Sequence, residues 1–169
     1  MAQRPLNFLV LCTGNSCRSV LGEALLNHLG AGRLKAFSAG SHPIGRINEK
    51  ALATLGRHGL PTAGYQSQSW DEFEDADIDV LISVCDSAAG EACPVYLSKA
   101  VRGHWGLPDP AHVEGTPEEV IAAFEATYAA LEQRIRKLLD LPFETMPGPE
   151  LAAAITRIGW ETPGGSREA

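Results

Sequence analysis

The sequence predicts an α/β protein built on a parallel sheet. Strand-like apolar runs at 6–11, 34–38 and 79–84 alternate with helix-like segments, and a weaker fourth run lies at 101–106. The 169 residues suffice for one domain with a buried core. We expect a main domain over 1–141 and a C-terminal extension over 142–169 that carries one short helix near 150–158.

The helices between these strands have identifiable starts. The first, over 19–29, has apolar residues at helical spacing, and the second begins after Asn48 as N-cap and runs to Gly59. The last has the strongest local signal, with Thr116 as N-cap, Pro117 at the first position and Glu119 at the third, which is a capping box. An apolar stripe then continues to about 138, which is typical of a core-facing helix. The acidic stretch 70–79 is expected to be a solvated approach to the third strand.

Composition and charge exclude several classes of function. The chain has 14 basic and 21 acidic residues, a net charge of -7, which argues against nucleic acid or an anionic membrane as partner. Its apolar runs are shorter than the roughly 20 residues of a membrane span, and the first is too short for a signal peptide. We therefore expect a cytoplasmic protein.

Four cysteines, Cys12, Cys17, Cys85 and Cys93, are then expected in a reducing compartment. Static disulfides are not expected there, so we expect the thiols to be reactive or metal-bound. The cysteine spacings do not match the paired knuckles of structural zinc sites. The sequence therefore favours reactive thiols, with no tightly bound cofactor.

The stretch VLCTGNSCRS (10–19) predicts an anion-binding loop between a strand and a helix. Free backbone N–H groups at the start of a helix, together with the helix dipole, attract anions. Gly14 is expected to permit a strained backbone angle. Arg18 is expected to offer a planar fork to two oxyanion oxygens.

The same loop predicts a reactive thiol at Cys12. A helix N-terminus and a neighbouring cation lower the pKa of a cysteine from about 8.5 to roughly 3.5–7.5. Ser19 is expected to stabilise the thiolate and Asn15 to brace the loop. Cys12 is therefore predicted to be a nucleophile aimed at a tetrahedral oxyanion.

The loop CTGNSCRS resembles the phosphate loop of the low-molecular-weight protein tyrosine phosphatase fold, and FSAG (37–40) resembles the segment after the second strand of that fold. The resemblance covers roughly residues 6–140. It implies a three-layer αβα arrangement with a four-stranded parallel sheet in order 2-1-3-4 and the loop at the C-terminal edge of the strands. The implied oxyanion-binding residues are Thr13, Gly14, Asn15, Ser16, Cys17, Arg18 and Ser19.

The segment SVCDSAAGEACP (83–94) resembles the arsenate reductases of this fold, which are usually coupled to thioredoxin. The resemblance implies that Cys12 attacks arsenate, that Cys85 attacks Cys12 to release arsenite, and that Cys93 then attacks Cys85 by thiol exchange. The pattern of that family usually has one residue fewer between the last two cysteines. The electron donor is expected to be an external thiol reductant: thioredoxin, glutaredoxin or a low-molecular-weight thiol.

The segment HWGLPDP (104–110) supplies a carboxylate after the fourth strand. By the same resemblance, Asp109 is the general acid that protonates the leaving oxygen. Phosphatases of this fold commonly have an aromatic residue after the Asp-Pro pair, whereas this chain has Ala111. The smaller residue favours a shallow site for a small inorganic oxyanion.

Two other functions remain open. The first is a phosphatase that forms a phosphoenzyme on Cys12 and uses Asp109 as its acid, and the second is a non-catalytic oxyanion-binding or redox-responsive regulator. Cys17 could form a protective disulfide with Cys12 under oxidation. The resemblance also raises a weak potassium site at Asn15, Glu23 and Ser38.

Overall fold

A computed structural model describes residues 5–85 and 99–162. In chain order, the strands and helices are β1 (Leu6–Leu11), α1 (Arg18–Leu29), β2 (Leu34–Ala39), α2 (Glu49–Arg57), β3 (Val80–Ser83), β4 (Val101–His104), α3 (Pro117–Leu139) and α4 (Gly148–Glu161). Within these two ranges, short 3-10 turns lie at Trp70–Phe73 and Pro110–His112.

The strands form a parallel sheet, as the sequence pattern predicted, in the order β2-β1-β3-β4 that the family resemblance implied. Leu11 at the end of β1 is in register with Ser83 of β3, and Ser83 is in register with His104 of β4. The segments that follow these three strands therefore leave the sheet at one edge. This edge brings together Cys12, Cys85 and the loop after His104.

Helix capping explains where α2 and α3 begin. The Asn48 side chain accepts hydrogen bonds from the backbone N–H groups of Lys50 and Ala51, and Thr116 forms the predicted capping box with Glu119. The N-terminus of α1 differs, because Cys17 is its N-cap and makes no side-chain capping bond. Its first turn also holds no acidic residue, so the N–H groups there have no anionic partner from the helix itself.

The structure differs from the sequence prediction at several element ends. β4 ends at His104 rather than at 106, although the Leu107 N–H still donates to the Val84 carbonyl at 3.1 Å. The acidic stretch is solvated except where the 3-10 turn buries Phe73, whose ring lies 5.5 Å from that of Phe37. The sequence prediction of a solvated acidic stretch therefore missed a buried aromatic residue.

The segment after α3 packs on the core of the sheet. Phe143 is 1% exposed and meets Phe8 of β1 edge-to-face at 5.6 Å, and Arg33 Cζ lies 4.3 Å from the centroid of the Phe143 ring. α4 covers β4, and the Ile155 side chain fills the space over Gly103 that a Cβ would need. No helix in the described ranges is both long and apolar enough to cross a membrane.

Candidate active site

The loop between β1 and α1 turns through a left-handed residue. Asn15 has a φ of 44°, and Asn is among the few side chains that tolerate this conformation. The prediction that Gly14 takes the strained angle was wrong, since Gly14 has an ordinary φ and space for a Cβ near Ile44. The Asn15 side chain offsets the strain because it donates to Ser19 Oγ at 2.9 Å and accepts from the Gln68 N–H at 2.8 Å.

Neighbouring segments hold the loop carbonyls so that they face away from its interior. The N–H groups of His42 and Ile44 donate to the carbonyls of Thr13 and Gly14, and the Asn48 N–H donates to that of Ser16. Sequence reasoning missed these braces because each joins distant segments. Gly40 was a signal of this close approach in the sequence, because any residue with a Cβ at this position would place it 2.4 Å from the Thr13 carbonyl oxygen.

Cys85 lies directly against the loop. Its sulfur accepts a hydrogen bond from the Thr13 N–H at 3.4 Å and lies 3.7 Å from Thr13 Oγ1. It is also hydrogen-bonded to the Cys12 side chain, and both cysteines are buried. The structure therefore brings together two of the three thiols that the sequence analysis singled out for the relay. Cys93 lies outside the described residues.

The electrostatics of Cys12 depart from the sequence prediction. The hydrogen bond with Cys85 and burial raise the pKa of Cys12 above its ordinary value, whereas Arg18 lowers it. The prediction of a lowered pKa was wrong for this arrangement, because a second thiol and the loss of solvent outweigh the guanidinium. Ser19 Oγ accepts from the Asn15 side-chain amide at 2.9 Å, which leaves the Ser19 O–H proton available as a donor, so its support of a Cys12 thiolate stays a prediction.

Arg18 connects the loop to the predicted general acid. Its Nη1 donates to the Leu107 carbonyl at 2.8 Å, and its Nη2 lies 3.5 Å from Asp109 Oδ2. Among the described residues, Arg18 Nε is a buried nitrogen with no hydrogen-bond partner. A buried donor without an acceptor is costly, so this nitrogen is suited to receive an oxyanion oxygen.

The contacts of Asp109 hold its carboxylate close to the anion-binding loop. Its Oδ1 accepts from the Ala111 N–H at 2.9 Å, and its Oδ2 faces Arg18 and, also at 3.5 Å, His112 Nε2. The negative charge of Asp109 acts to raise the pKa values of Cys12 and Cys17, which places the carboxylate within electrostatic range of both thiols. Ala111 is exposed and supplies no aromatic wall.

Cys17 is a second buried thiol of the loop. Burial and then Asp109 raise its pKa to about 12, against the effect of Arg18. In the described residues it is a free cysteine, as is Cys12.

The three residues considered for potassium use their side chains within the protein. Ser38 donates to Glu23 Oε1 at 2.5 Å, and the Asn15 oxygen accepts from Gln68. Burial raises the pKa of Glu23 to about 7, which leaves a weakened negative charge near neutrality. The weak potassium site at these three residues stays a prediction of the resemblance.

A cysteine and an arginine in a loop at the C-terminal edge of a parallel sheet, with a carboxylate facing them, define a class of enzymes that act on tetrahedral oxyanions through a cysteine. Residues 7–147 match the model of the low molecular weight phosphotyrosine protein phosphatase family. The chain belongs to this family.

Several relatives and structures in this family are arsenate reductases. An arsenate reductase of Bacillus licheniformis is 33% identical over 83% of this chain and 98% of that protein. A glutaredoxin arsenate reductase of Synechocystis is 28% identical over 78% of this chain and 94% of that protein. A solved structure of an arsenate reductase in the phosphate-binding state superposes with a TM-score of 0.67 at 25% identity, covering 80% of this chain and 97% of that one.

Proposed function

We propose that this protein is an arsenate reductase that converts arsenate to arsenite by a thiol relay from Cys12 to Cys85 and then Cys93. The observation that carries the proposal is the position of the Cys85 sulfur, which accepts from the Thr13 N–H of the loop at 3.4 Å and interacts with the Cys12 side chain, beside an arginine and a carboxylate. A phosphatase needs one cysteine in this place, whereas a reductase needs a second sulfur within reach of the first. The curated relatives named above point to the same activity.

In the first step, Cys12 sulfur attacks arsenic and a sulfur–arsenic bond forms. The bond from arsenic to one hydroxyl breaks, and this hydroxyl leaves as water. The proton of the Cys12 thiol goes to the leaving oxygen, and the proposal assigns this transfer to Asp109, whose carboxylate faces Arg18. Arg18 balances the charge of the oxyanion.

In the second step, Cys85 sulfur attacks Cys12 sulfur. A disulfide forms, and the electron pair of the sulfur–arsenic bond stays on arsenic, which is thereby reduced from arsenic(V) to arsenic(III). Arsenite leaves with the proton from Cys85. The two thiols together supply the two electrons of the reduction.

In the third step, Cys93 attacks Cys85, the Cys12 thiol is released, and a disulfide between Cys85 and Cys93 remains. We infer that an external dithiol or thiol reductant restores these two cysteines. Thioredoxin, glutaredoxin and a low-molecular-weight thiol are the candidates, and the name of the Synechocystis relative supports a glutaredoxin. The proposal includes a cytoplasmic location, where such donors are kept reduced.

A coupled assay of arsenate-dependent NADPH consumption tests both the activity and the donor. The full-length protein is assayed with the thioredoxin system, the glutaredoxin and glutathione system, and a small thiol with its reductase. Consumption that needs both arsenate and one donor system supports the proposal. Consumption in none of them, together with rapid hydrolysis of phosphotyrosine that is indifferent to Cys85, would assign the phosphatase activity instead.

A further inference from the structure

Arg134 of α3 is a buried charged side chain that the steps above do not use. It is 0% exposed, and its partners in the described part of the chain are neutral oxygens. Burial lowers its pKa to about 10. A charge kept out of water at this cost needs a structural or functional reason.

The guanidinium of Arg134 joins two parts of the molecule. Its Nε donates to Thr162 Oγ1 at 2.7 Å, just after the end of α4, and Nη1 and Nη2 both lie 3.4 Å from the Gly106 carbonyl oxygen. Thr162 in turn donates to the Ile158 carbonyl in the last turn of α4 at 3.0 Å. Arg134 therefore lies between the end of the C-terminal helix and the loop after β4.

Gly106 belongs to the segment that ends at Asp109. The residue before Gly106, Trp105, is buried and donates from Nε1 to the Ile155 carbonyl of α4 at 2.7 Å. The residue after Gly106, Leu107, accepts a hydrogen bond from Arg18 through its carbonyl, and Arg18 also faces Asp109. The acid-bearing loop is thus held by α4 and Arg134 on one side and by Arg18 on the other.

We propose that Arg134, held in place by Thr162, is a positioning residue that sets the place of Asp109 relative to the Cys12 loop. The inference rests on the proposed function, because it assigns the acid step to Asp109. It gives α4 a part in the reaction, although this helix lies beyond the residues that match the family model. Thr162 allows the sharper test, because Thr162→Val removes the hydroxyl that holds Arg134 Nε and the Ile158 carbonyl but leaves the buried charge in place.

The experiment compares Thr162→Val with Thr162→Ser in the full-length protein, each with Asp109 intact and with Asp109→Asn. The readout is the rate of arsenite formation in a single turnover of the pre-reduced enzyme as arsenate concentration is varied. We expect Thr162→Val to lower the saturating rate about three- to tenfold without changing the half-saturating arsenate concentration. Thr162→Ser should retain the rate, since it keeps the hydroxyl that fixes Arg134.

The combination with Asp109→Asn separates positioning from a general loss of stability. If Thr162 acts through Asp109, Thr162→Val changes the rate by less than about twofold once the acid is gone. Arg136→Met, which removes an exposed arginine two positions further along α3, is the matched control. It should leave the saturating rate unchanged both with Asp109 intact and with Asp109→Asn. Thermal melting of all variants monitors folding.

A rate loss of equal factor with and without Asp109 would overturn the inference, and so would a loss confined to arsenate affinity. These results leave the proposed function intact, because the wild-type protein still forms arsenite. If the pre-reduced wild type forms no arsenite, the proposed function itself fails and the positioning role fails with it. If Asp109→Asn turns over as fast as wild type, the acid step is wrong, and Arg134 has no acid to position.

Discussion

The thiols of Cys12 and Cys85 are hydrogen-bonded to each other although one follows β1 and the other follows β3. The sheet places β3 beside β1, and the Val84 N–H donates to the Leu11 carbonyl at 2.9 Å at the point where both strands end. The backbone pairing of these strands therefore places the Cys85 sulfur close to the Cys12 sulfur. This contact distinguishes a relay from a single-cysteine site.

Replacement of Cys85 by serine should stop cycling. Cys12 can still attack the oxyanion, but the sulfur that attacks Cys12 in the second step of the relay is gone. We expect at most one arsenite per enzyme molecule in the presence of excess donor, measured by arsenic speciation. Hydrolysis of a model aryl phosphate by the same variant should persist and serves as the control for a folded loop. Multiple turnovers by Cys85→Ser would contradict the relay.

Replacement of Cys85 by alanine should make Cys12 more acidic. The Cys85 hydrogen bond is the largest of the effects that raise the pKa of Cys12, so its removal lowers this pKa and increases the thiolate fraction at a given pH. The rate of alkylation by iodoacetamide, followed by mass spectrometry in a Cys17→Ser background, should reach half its maximum at a lower pH. An unchanged alkylation profile would show that Cys85 does not control the proton on Cys12.

Replacement of Arg18 by lysine should weaken oxyanion binding although the charge is retained. A lysine cannot at once reach the Leu107 carbonyl, face Asp109 and offer a third donor to an oxyanion, as the guanidinium does. We expect phosphate affinity, measured by calorimetry, to fall by at least about tenfold, which corresponds to roughly 1.4 kcal/mol. Replacement of the exposed Arg136 by lysine is the matched control. Equal phosphate affinity in wild type and Arg18→Lys would remove Arg18 from the binding site.

Glu23 should make the protein less stable as pH rises towards neutrality. Its pKa is raised to about 7 in the folded state, chiefly by burial, so between about 4.5 and 7 the folded state binds more protons than the unfolded state. The free energy of unfolding therefore declines with increasing pH across this window, by on the order of 2 kcal/mol from this group.

Urea denaturation of wild type and Glu23→Gln at several pH values from 4.5 to 8 measures this contribution. The glutamine variant should show a smaller decline, because it stays neutral throughout. Glu74→Gln, which changes an exposed glutamate, should follow wild type. Parallel curves for wild type and Glu23→Gln would show that this carboxyl ionises normally in the folded protein.

Local sequence signals predicted the elements and most of their starts. The Thr116 and Asn48 caps depend on residues within one turn, and the anion loop is a continuous stretch between a strand and a helix. The left-handed residue was assigned to Gly14 and lies at Asn15, because the brace that selects it is the hydrogen bond from Gln68. A turn of this kind depends on contacts that a local reading does not contain.

The pKa of Cys12 was the largest error of the sequence analysis. The loop alone contains two features that lower the pKa of Cys12 and favour its thiolate, the helix N-terminus and Arg18. The structure adds Cys85 and the loss of solvent, which oppose it, and it directs part of the Arg18 fork to Leu107 and Asp109. Electrostatic balance at a buried site depends on the whole neighbourhood of a group.

The sequence by itself determined the alternation of strands and helices, the helix caps and the motif with Cys12 and Arg18, because each of these is encoded by residues close together in the chain. The tertiary structure alone decided the contact of Cys85 with Cys12, the direction of the Arg18 fork and the place of Arg134 between Gly106 and Thr162. These features join segments far apart in sequence, and they arise only when the sheet order and helix packing bring such segments within hydrogen-bonding distance.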